Sequence, residues 1–162
     1  MPRVILLLHN IRSTHNVGAI FRTAEGLGVQ KIIISGYTPH PTTQNDSRLP
    51  HIRDKITAQI HKTALGAEQT VPFRVEPTPP FDELRSAGYQ IVGLEQHGSS
   101  TPLPSYKAPP KIALLIGEEV EGIAEDMLAQ CVDIVEIPMV GQKESFNVSV
   151  ATGMALYQML VL

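Results

Sequence analysis

The stretch "IPMVGQKESFNVSVATGM", residues Ile137 to Met154, combines the end of a strand, a turn and the start of a helix. Pro138 closes a short apolar run, and the glycine that follows supplies a turn. Ser145, Asn147 and Ser149 then alternate at the mouth of an apolar segment. One Ser or Asn is enough to cap the free N–H groups of a helix start. Because three such side chains exceed that need, the pattern indicates a ligand at the helix mouth.

The helix that follows predicts how the protein assembles. No charged side chain occurs between Ser145 and Leu162. A helix that is apolar nearly all round must be buried on nearly all sides, and a small single sheet covers only one of them. Polar residues such as Asn147, Thr152 and Gln158 argue against a membrane span. We therefore expect burial against a second copy of the chain across a two-fold interface, which makes the protein a homodimer without membrane association.

Outward from this stretch, strand and helix patterns alternate along the whole chain. The predicted strands are continuous runs rich in Val, Ile and Leu: Val4–Leu8, Lys31–Ser35, Thr70–Val75, Gln90–Leu94, Lys111–Ile116 and Val132–Ile137. The predicted helices are Val17–Leu27, Ile56–Glu68, Phe81–Ala87, Ile123–Ala129 and Val148–Leu160. Continuous apolar strands are typical of a parallel sheet covered on both faces. The sequence thus predicts an α/β, doubly wound, mainly parallel sheet with helices on both faces, in a single domain over residues 1–162.

Two proline-containing segments without periodicity, Tyr37–Pro50 and Gly98–Pro110, are predicted as long loops, a kind of segment that is often functional. Charge is distributed unevenly around them. Residues 1–62 hold eight Lys or Arg and three acids, whereas the remaining residues hold five and thirteen. This favours either a phosphate-binding face in the first half or merely an uneven solvated surface.

The single cysteine, Cys131, excludes a disulfide framework and a cysteine-rich zinc site, and it fits a cytoplasmic protein.

A first polar cluster, "HNIRSTHNVGAIFRTAEGLG" from His9 to Gly28, follows the first predicted strand. Ligands of open α/β sheets bind outside the carboxyl ends of the strands, which is where this cluster falls. We expect Asn16 to cap the next helix and Gly18 to let a ligand approach the backbone. Arg22 is placed to grip a phosphate with its guanidinium. The alternative for Arg22 is a solvated side chain on an amphipathic helix.

A second cluster, "LLIGEEVEGI" from Leu114 to Ile123, runs from a buried strand through Gly117 into Glu118 and Glu119. Its glycines predict a tight turn beside a ligand, although acids ahead of a helix are an ordinary alternative. A weaker cluster, "IVGLEQHG", ends another strand at Glu95. The chain has no dinucleotide fingerprint, no P-loop and no serine elbow, and no His, Cys, Asp or Glu spacing that predicts a metal site.

Taken in order, these clusters resemble the three motifs of the SpoU/TrmH branch of the SPOUT RNA methyltransferases. The matching segments are "NVGAIFRTAEGLG", "LLIGEEVEGI" and "IPMVGQKESFNVSVATGMAL", and "HKTALGAE" at His61–Glu68 also looks like a segment of this family. The resemblance covers essentially the whole chain. It implies a C-terminal deep trefoil knot, an obligate homodimer, S-adenosylmethionine as cofactor, and 2′-O-methylation of a ribose in tRNA or rRNA.

The resemblance also implies roles for individual residues. The expected cofactor-binding residues are Leu94, Glu95, Gln96, Ile116, Gly117, Glu118, Ile137, Pro138, Met139, Ser145 and Phe146. The expected polar catalytic residues are Asn16, Arg22, Glu119, Ser145 and Asn147. Arg22 either removes the proton of the ribose hydroxyl or clamps the adjacent phosphate, since a free guanidinium stays protonated. Sulfonium chemistry of this kind needs no metal.

We expect no separate RNA-binding extension, so that the catalytic dimer itself grips RNA. The expected contacts to RNA are Arg12, Arg22, Arg48, Arg53 and Lys55. Two alternatives remain open from the sequence. One is a catalytically silent module of the same fold that binds S-adenosylmethionine or RNA, and the other is an unrelated nucleotide-binding α/β enzyme.

Overall fold

The computed structural model describes all 162 residues and contains seven strands and six α-helices. The strands are β1 (Arg3–His9), β2 (Lys31–Ser35), β3 (Phe73–Glu76), β4 (Gln90–Leu94), β5 (Thr101–Pro102), β6 (Lys111–Ile116) and β7 (Asp133–Glu136). The helices are α1 (Thr14–Gly26), α2 (Pro50–Ala64), α3 (Ala67–Thr70), α4 (Phe81–Ser86), α5 (Glu125–Leu128) and α6 (Val148–Leu160). A short 3-10 helix spans Leu103–Ser105. None of the helices is both long and apolar enough to cross a membrane.

All strands join one sheet in the order β3-β2-β1-β6-β4-β7-β5, and every neighbouring pair is parallel. Side chains alternate between the two faces of this sheet. On one face, Leu6 and Leu8 of β1 pack in a core with residues of α1, α2 and α6. On the other face, Ile5 and Leu7 pack in a second core with residues of α4 and α5. The predicted parallel α/β sheet with helices on both faces is confirmed.

The predicted boundaries hold for β2, β4, β6 and α6, and three differences have local causes. Helix α2 starts at Pro50 rather than Ile56, because Pro at the first helical position fits the helix without loss of a hydrogen bond. The helix predicted over Ile56–Glu68 is interrupted where Leu65 and Gly66 adopt positive φ angles of 53° and 100°. Residues up to Thr70 then form α3, so β3 begins only at Phe73.

The predicted loop Gly98–Pro110 contains the edge strand β5, which the sequence analysis missed. Its two residues, Thr101 and Pro102, pair with β7 alone. Proline lacks an N–H donor and is tolerated at a sheet edge, where only one side of the strand is paired. A two-residue strand containing proline leaves no recognisable pattern in the sequence.

Helix α6 packs against α1 with one side and leaves the other side uncovered. Ala155, Leu156 and Met159 are buried, whereas Val150 and Tyr157 are about half exposed, at 50% and 49%. An uncharged helix with an uncovered apolar side is a candidate interface.

Candidate active site

The main cleft of the protein lies at the carboxyl ends of β4, β6 and β7 and at the start of α6, and its volume is about 190 Å³. It is lined by ten of the eleven residues predicted to bind the cofactor, namely Leu94, Glu95, Gln96, Ile116, Gly117, Glu118, Ile137, Met139, Ser145 and Phe146. The eleventh, Pro138, lines a neighbouring cleft against Leu103 and Tyr157. Segments far apart in sequence therefore converge on one cavity, at the edge of the sheet where parallel α/β proteins bind ligands.

A glycine hairpin forms one wall of this cleft. Gly122 N donates to Glu118 O at 2.9 Å, and Glu118 N donates to Gly122 O at 3.1 Å. Gly122 has a φ of +70°, and a Cβ there would lie 2.1 Å from Glu95 Oε2. Glu95 in turn accepts hydrogen bonds from the backbone N–H groups of Gln96 at 2.8 Å and Ile123 at 3.0 Å. The predicted tight turn is confirmed, and it is held against the end of β4.

Glu119 fastens this hairpin to the start of α1. Its carboxylate accepts hydrogen bonds from Arg12 N at 2.9 and 3.0 Å, from Ser13 N at 3.2 Å and from Asn16 Nδ2 at 3.3 Å. Partial burial raises the pKa of Glu119, but these hydrogen bonds outweigh it and hold the pKa below its ordinary value. Glu119 is therefore an ionised anchor whose oxygen atoms are already occupied by donors.

Asn147 connects the same network to α6. Its Oδ1 accepts from Ser149 N at 2.9 Å and from Ser149 Oγ at 2.6 Å, so Asn147 is the cap of this helix, for which the sequence predicted a Ser or Asn without assigning one. Its Nδ2 then points away and donates to Asn16 Oδ1 at 3.1 Å. The backbone N–H of Ser149 thus sets the orientation of the Asn147 amide, which sets that of Asn16. We call this chain of Ser149, Asn147, Asn16 and Glu119 the amide relay.

Two expectations about the first cluster are wrong. Ser13, not Asn16, caps α1, because the Ser13 side chain accepts from Asn16 N at 3.2 Å. This leaves the side chain of Asn16 free for the relay. Gly18 does not face a ligand, since a Cβ there would lie 2.1 Å from Thr63 Oγ1 and 2.2 Å from Ile60 O. Its function is to let α2 pack closely against α1.

Arg22 stands apart from the relay. It is exposed on α1, its side chain makes no hydrogen bond or ion pair, and it lies six residues beyond Asn16, which is about 9 Å along the helix axis. The next residue, Thr23, lies beside α6, where a Cβ on Gly153 would be 3.6 Å from Thr23 Cγ2. Ser145 lines the cleft without a side-chain hydrogen bond. The structure therefore joins Asn16, Glu119 and Asn147 directly, but not Arg22 or Ser145.

The Lys and Arg side chains predicted to contact RNA differ in whether they already have an acidic or carbonyl partner in the protein. Lys55 is exposed and unpaired, whereas Arg53 Nε lies 3.5 Å from Asp54 Oδ1. The Arg12 guanidinium lies 3.2 Å from Glu118 Oε1, although its side chain is 63% exposed. Arg48 is committed within the Tyr37–Pro50 loop, where it donates to Asp46 at 2.6 and 2.9 Å and to the carbonyls of His40 and Pro41. Arg48 thus stabilises the loop conformation, and its guanidinium is already hydrogen-bonded within the protein.

Several residues of the main cleft were not predicted from the sequence. Val148 and Ala151, one turn apart on α6, line it with Val120 and Glu121 of the hairpin. Their i, i+3 spacing at the start of an apolar helix is a usable signal for a helix face that meets a ligand. No group of three or more His, Cys, Asp or Glu side chains is arranged to hold a metal ion.

Fold and cleft together define a parallel α/β protein with a ligand site at the carboxyl edge of its sheet. Residues 3–157 match the SpoU rRNA Methylase family, and the chain belongs to that family. Among its curated relatives is the 23S rRNA (guanosine-2′-O-)-methyltransferase RlmB of Neisseria meningitidis. It is 32% identical over 160 residues, which are 96% of this chain and 57% of the relative. The chain spans a little over half the length of such curated relatives.

Solved structures share the fold at lower identity. An AdoMet-bound rRNA methyltransferase from Sinorhizobium meliloti superimposes with a TM-score of 0.80 at 23% identity, over 97% of this chain and 55% of the other. A TrmH/SpoU tRNA modifying enzyme from A. aeolicus gives a TM-score of 0.79 at 23% identity, over 99% of this chain and 75% of the other. These likenesses support the same architecture over nearly the whole chain.

Proposed function

We propose that this chain is an S-adenosylmethionine-dependent ribose 2′-O-methyltransferase acting on tRNA or rRNA. The observation that supports this most directly is the amide relay, which joins the three family motif segments beside the main cleft. The relative of 32% identity is named 23S rRNA (guanosine-2′-O-)-methyltransferase RlmB. We extend the reaction class, not the RNA target, from that relative to this chain.

The residues of the main cleft fit the proposed cofactor. Leu94, Ile137 and Met139 provide apolar surface for an adenine ring. The carboxylates of Glu95 and Glu118 line the same cavity and favour a positively charged ligand. When bound, S-adenosylmethionine supplies an electrophilic methyl group on a positively charged sulfur.

The side chains beside the cleft have complementary roles in this proposal. The relay holds Asn16 and Asn147 in one orientation, so their positions are fixed before RNA arrives. Arg22 is exposed and unpaired, and we assign it to a phosphate next to the reacting ribose. A guanidinium stays protonated and is a poor proton acceptor, so this role suits Arg22 better than that of a base. The ribose proton then leaves to the RNA phosphate or to solvent.

We further propose a homodimer formed through the uncovered side of α6. Val150, Met154 and Tyr157 present apolar surface there, and Leu103 and Pro138 border the same area. We also propose the trefoil knot that the family resemblance implies; the position of β7 between the earlier strands β4 and β5, followed by residues 137–147 and α6, is compatible with it. We also propose a cytoplasmic location, which the single, half-buried Cys131 suits.

The test is methyl transfer from labelled S-adenosylmethionine to bulk RNA, followed by alkaline hydrolysis. A 2′-O-methyl group blocks cleavage at its nucleotide, so the expected product is a labelled, alkali-resistant dinucleotide. Arg22→Ala is expected to lose transfer while still binding S-adenosylhomocysteine in calorimetry. Cofactor binding without transfer to any RNA would instead identify the silent module, and binding of NAD or ATP alone would indicate the unrelated nucleotide enzyme. No contact in the cleft favours either alternative.

A further inference from the structure

A second cleft, of about 260 Å³, lies on the other side of the glycine hairpin, where β1 ends. It shares Gly117, Glu118, Glu121 and Gly122 with the main cleft, so the two cavities are separated only by that hairpin. Its remaining lining includes His9, Asn10 and Tyr37. None of the proposed roles above uses these three side chains.

The polar rim of this second cleft has unused hydrogen-bonding capacity. His9 Nδ1 lies 2.8 Å from Ser35 Oγ, and its other ring nitrogen has no protein partner. Partial burial lowers the pKa of His9 more than the nearby Asp126 raises it, which favours the neutral ring. Asn10 Oδ1 accepts from Tyr37 N at 3.1 Å, which leaves Asn10 Nδ2 without a partner. The rim therefore offers neutral donors and acceptors.

An apolar floor and an exposed aromatic ring complete the cleft. Leu115 and Ile123 are buried beneath it, Tyr37 as a residue is 60% exposed, and its hydroxyl makes no hydrogen bond. Tyr37 is nevertheless firmly supported, because the neighbouring Thr38 is buried and donates to Ser35 O at 2.8 Å. An exposed aromatic side chain on a rigid support is a stacking platform for a planar ring.

The backbone conformation at Asn10 and Gly36 brings the side chains of His9, Asn10 and Tyr37 to one cleft. Asn10 has a positive φ of 58°, which costs energy for a residue with a side chain. The adjacent Gly36 has a φ of 64°, and a Cβ there would lie 1.8 Å from Asn10 Oδ1. The carboxylates of Glu118 and Glu121 also line the cleft, which disfavours a phosphate and suits a ligand that carries no negative charge and has N–H donors.

We propose that the second cleft binds a nucleobase of the substrate RNA, with Tyr37 stacking on its face and His9 and Asn10 hydrogen-bonding to its edge. This inference rests on the proposed RNA methyltransferase function. Unstacked bases of RNA are recognised by aromatic stacking together with hydrogen bonds to their edges. Because only the hairpin separates the two clefts, a base held here positions its strand next to the methyl donor. The second cleft is then the element that selects the nucleotide.

Two measurements test the proposal with Tyr37→Ala, Tyr37→Phe and, as a matched control, His51→Ala, an exposed histidine outside both clefts. In the first, adenosine, guanosine, cytidine and uridine, which carry no phosphate, are titrated into the protein saturated with S-adenosylhomocysteine, and the NMR signals of His9 and Asn10 are followed. Changes in chemical shift that saturate at millimolar concentrations are expected for at least one of the four nucleosides. They should be lost in Tyr37→Ala and retained in Tyr37→Phe and in the control.

In the second measurement, kcat/KM for methylation of bulk RNA is compared with the affinity for S-adenosylhomocysteine. Tyr37→Ala should lower kcat/KM by roughly 5- to 150-fold, which is the effect of losing one stacked base, without changing cofactor affinity. Absence of nucleoside-dependent changes in chemical shift in the wild type, or equal kcat/KM for Tyr37→Ala and wild type, would overturn the proposal. If the wild type methylates no RNA, the proposed function has failed, and the NMR titration alone then decides whether the cleft takes a base.

Discussion

Asn147 Nδ2 donates a hydrogen bond to Asn16 Oδ1 at 3.1 Å, across 131 residues of sequence. The bond joins the first turns of α6 and α1, which also contact each other farther along. On its other side, Asn16 donates to Glu119 of the hairpin after β6. Three segments that are dispersed in the sequence therefore share one hydrogen-bonded unit beside the main cleft, and this unit makes specific predictions.

Asn147→Asp separates helix capping from the relay. Aspartate caps a helix as well as asparagine and is favoured near a helix N-terminus, so the free energy of unfolding should change by less than about 1 kcal/mol. It has no N–H to donate to Asn16, so the methyl-transfer rate should fall while stability is kept. Asn147→Ala, which loses both functions, should lower the rate and also cost about 1 kcal/mol of stability. Chemical denaturation and single-turnover kinetics measure the two effects. Equal rates for Asn147→Asp and wild type would show that the relay has no part in the reaction.

Glu119→Gln should weaken the anchor in a pH-dependent way. The pKa of Glu119 is held below its ordinary value in the folded protein, so its ionised form stabilises the fold at pH values above the ordinary carboxyl pKa. That contribution disappears as the pH falls through the lowered pKa. The stability difference between wild type and Glu119→Gln should therefore be largest near pH 7, at about 1–3 kcal/mol, and should shrink in acid. Glu25→Gln, an exposed and unpaired site on α1, is the matched control and should show no such trend.

Gly18→Ala should destabilise the protein through the contact between α1 and α2. The added Cβ would meet the backbone carbonyl of Ile60 at 2.2 Å, and a backbone atom cannot move aside as a flexible side chain can. Overpacking of this kind typically costs about 1–3 kcal/mol. Gly26→Ala lies in the same helix, where a Cβ meets nothing within 4 Å, and it should be neutral or stabilising by up to about 1 kcal/mol. Thermal unfolding of both variants compares the two sites directly, and a Gly18→Ala protein as stable as Gly26→Ala would contradict the packing argument.

The parallel sheet was predictable from sequence because each central strand is a continuous apolar run, and α6 was predictable because Asn147 marks its start. The cap at Ser13 was not, since Asn16 is an equally good capping residue by type and only the hydrogen bond to Asn16 N distinguishes them. The structural role of Arg48 was not predictable either, because its partners Asp46, His40 and Pro41 come within hydrogen-bonding distance only when the loop folds. The sequence thus predicted which polar side chains lie near strand ends. Their hydrogen-bond partners depend on how the loops fold, which the spacing of apolar residues does not determine.

Met154→Glu tests the proposed homodimer. Met154 is 40% exposed on the uncovered side of α6 and faces neither buried core, so a glutamate there should leave the folded subunit intact. In a dimer the same side chain would be desolvated, and burying a carboxylate without a partner costs several kcal/mol. Sedimentation should therefore show a dimer for the wild type and a monomer for Met154→Glu, with unchanged circular dichroism. Lys62→Glu, a charge change on the exposed side of α2, should remain dimeric. A wild-type monomer would rule out the proposed dimer, and a dimeric Met154→Glu would place the interface elsewhere than on α6.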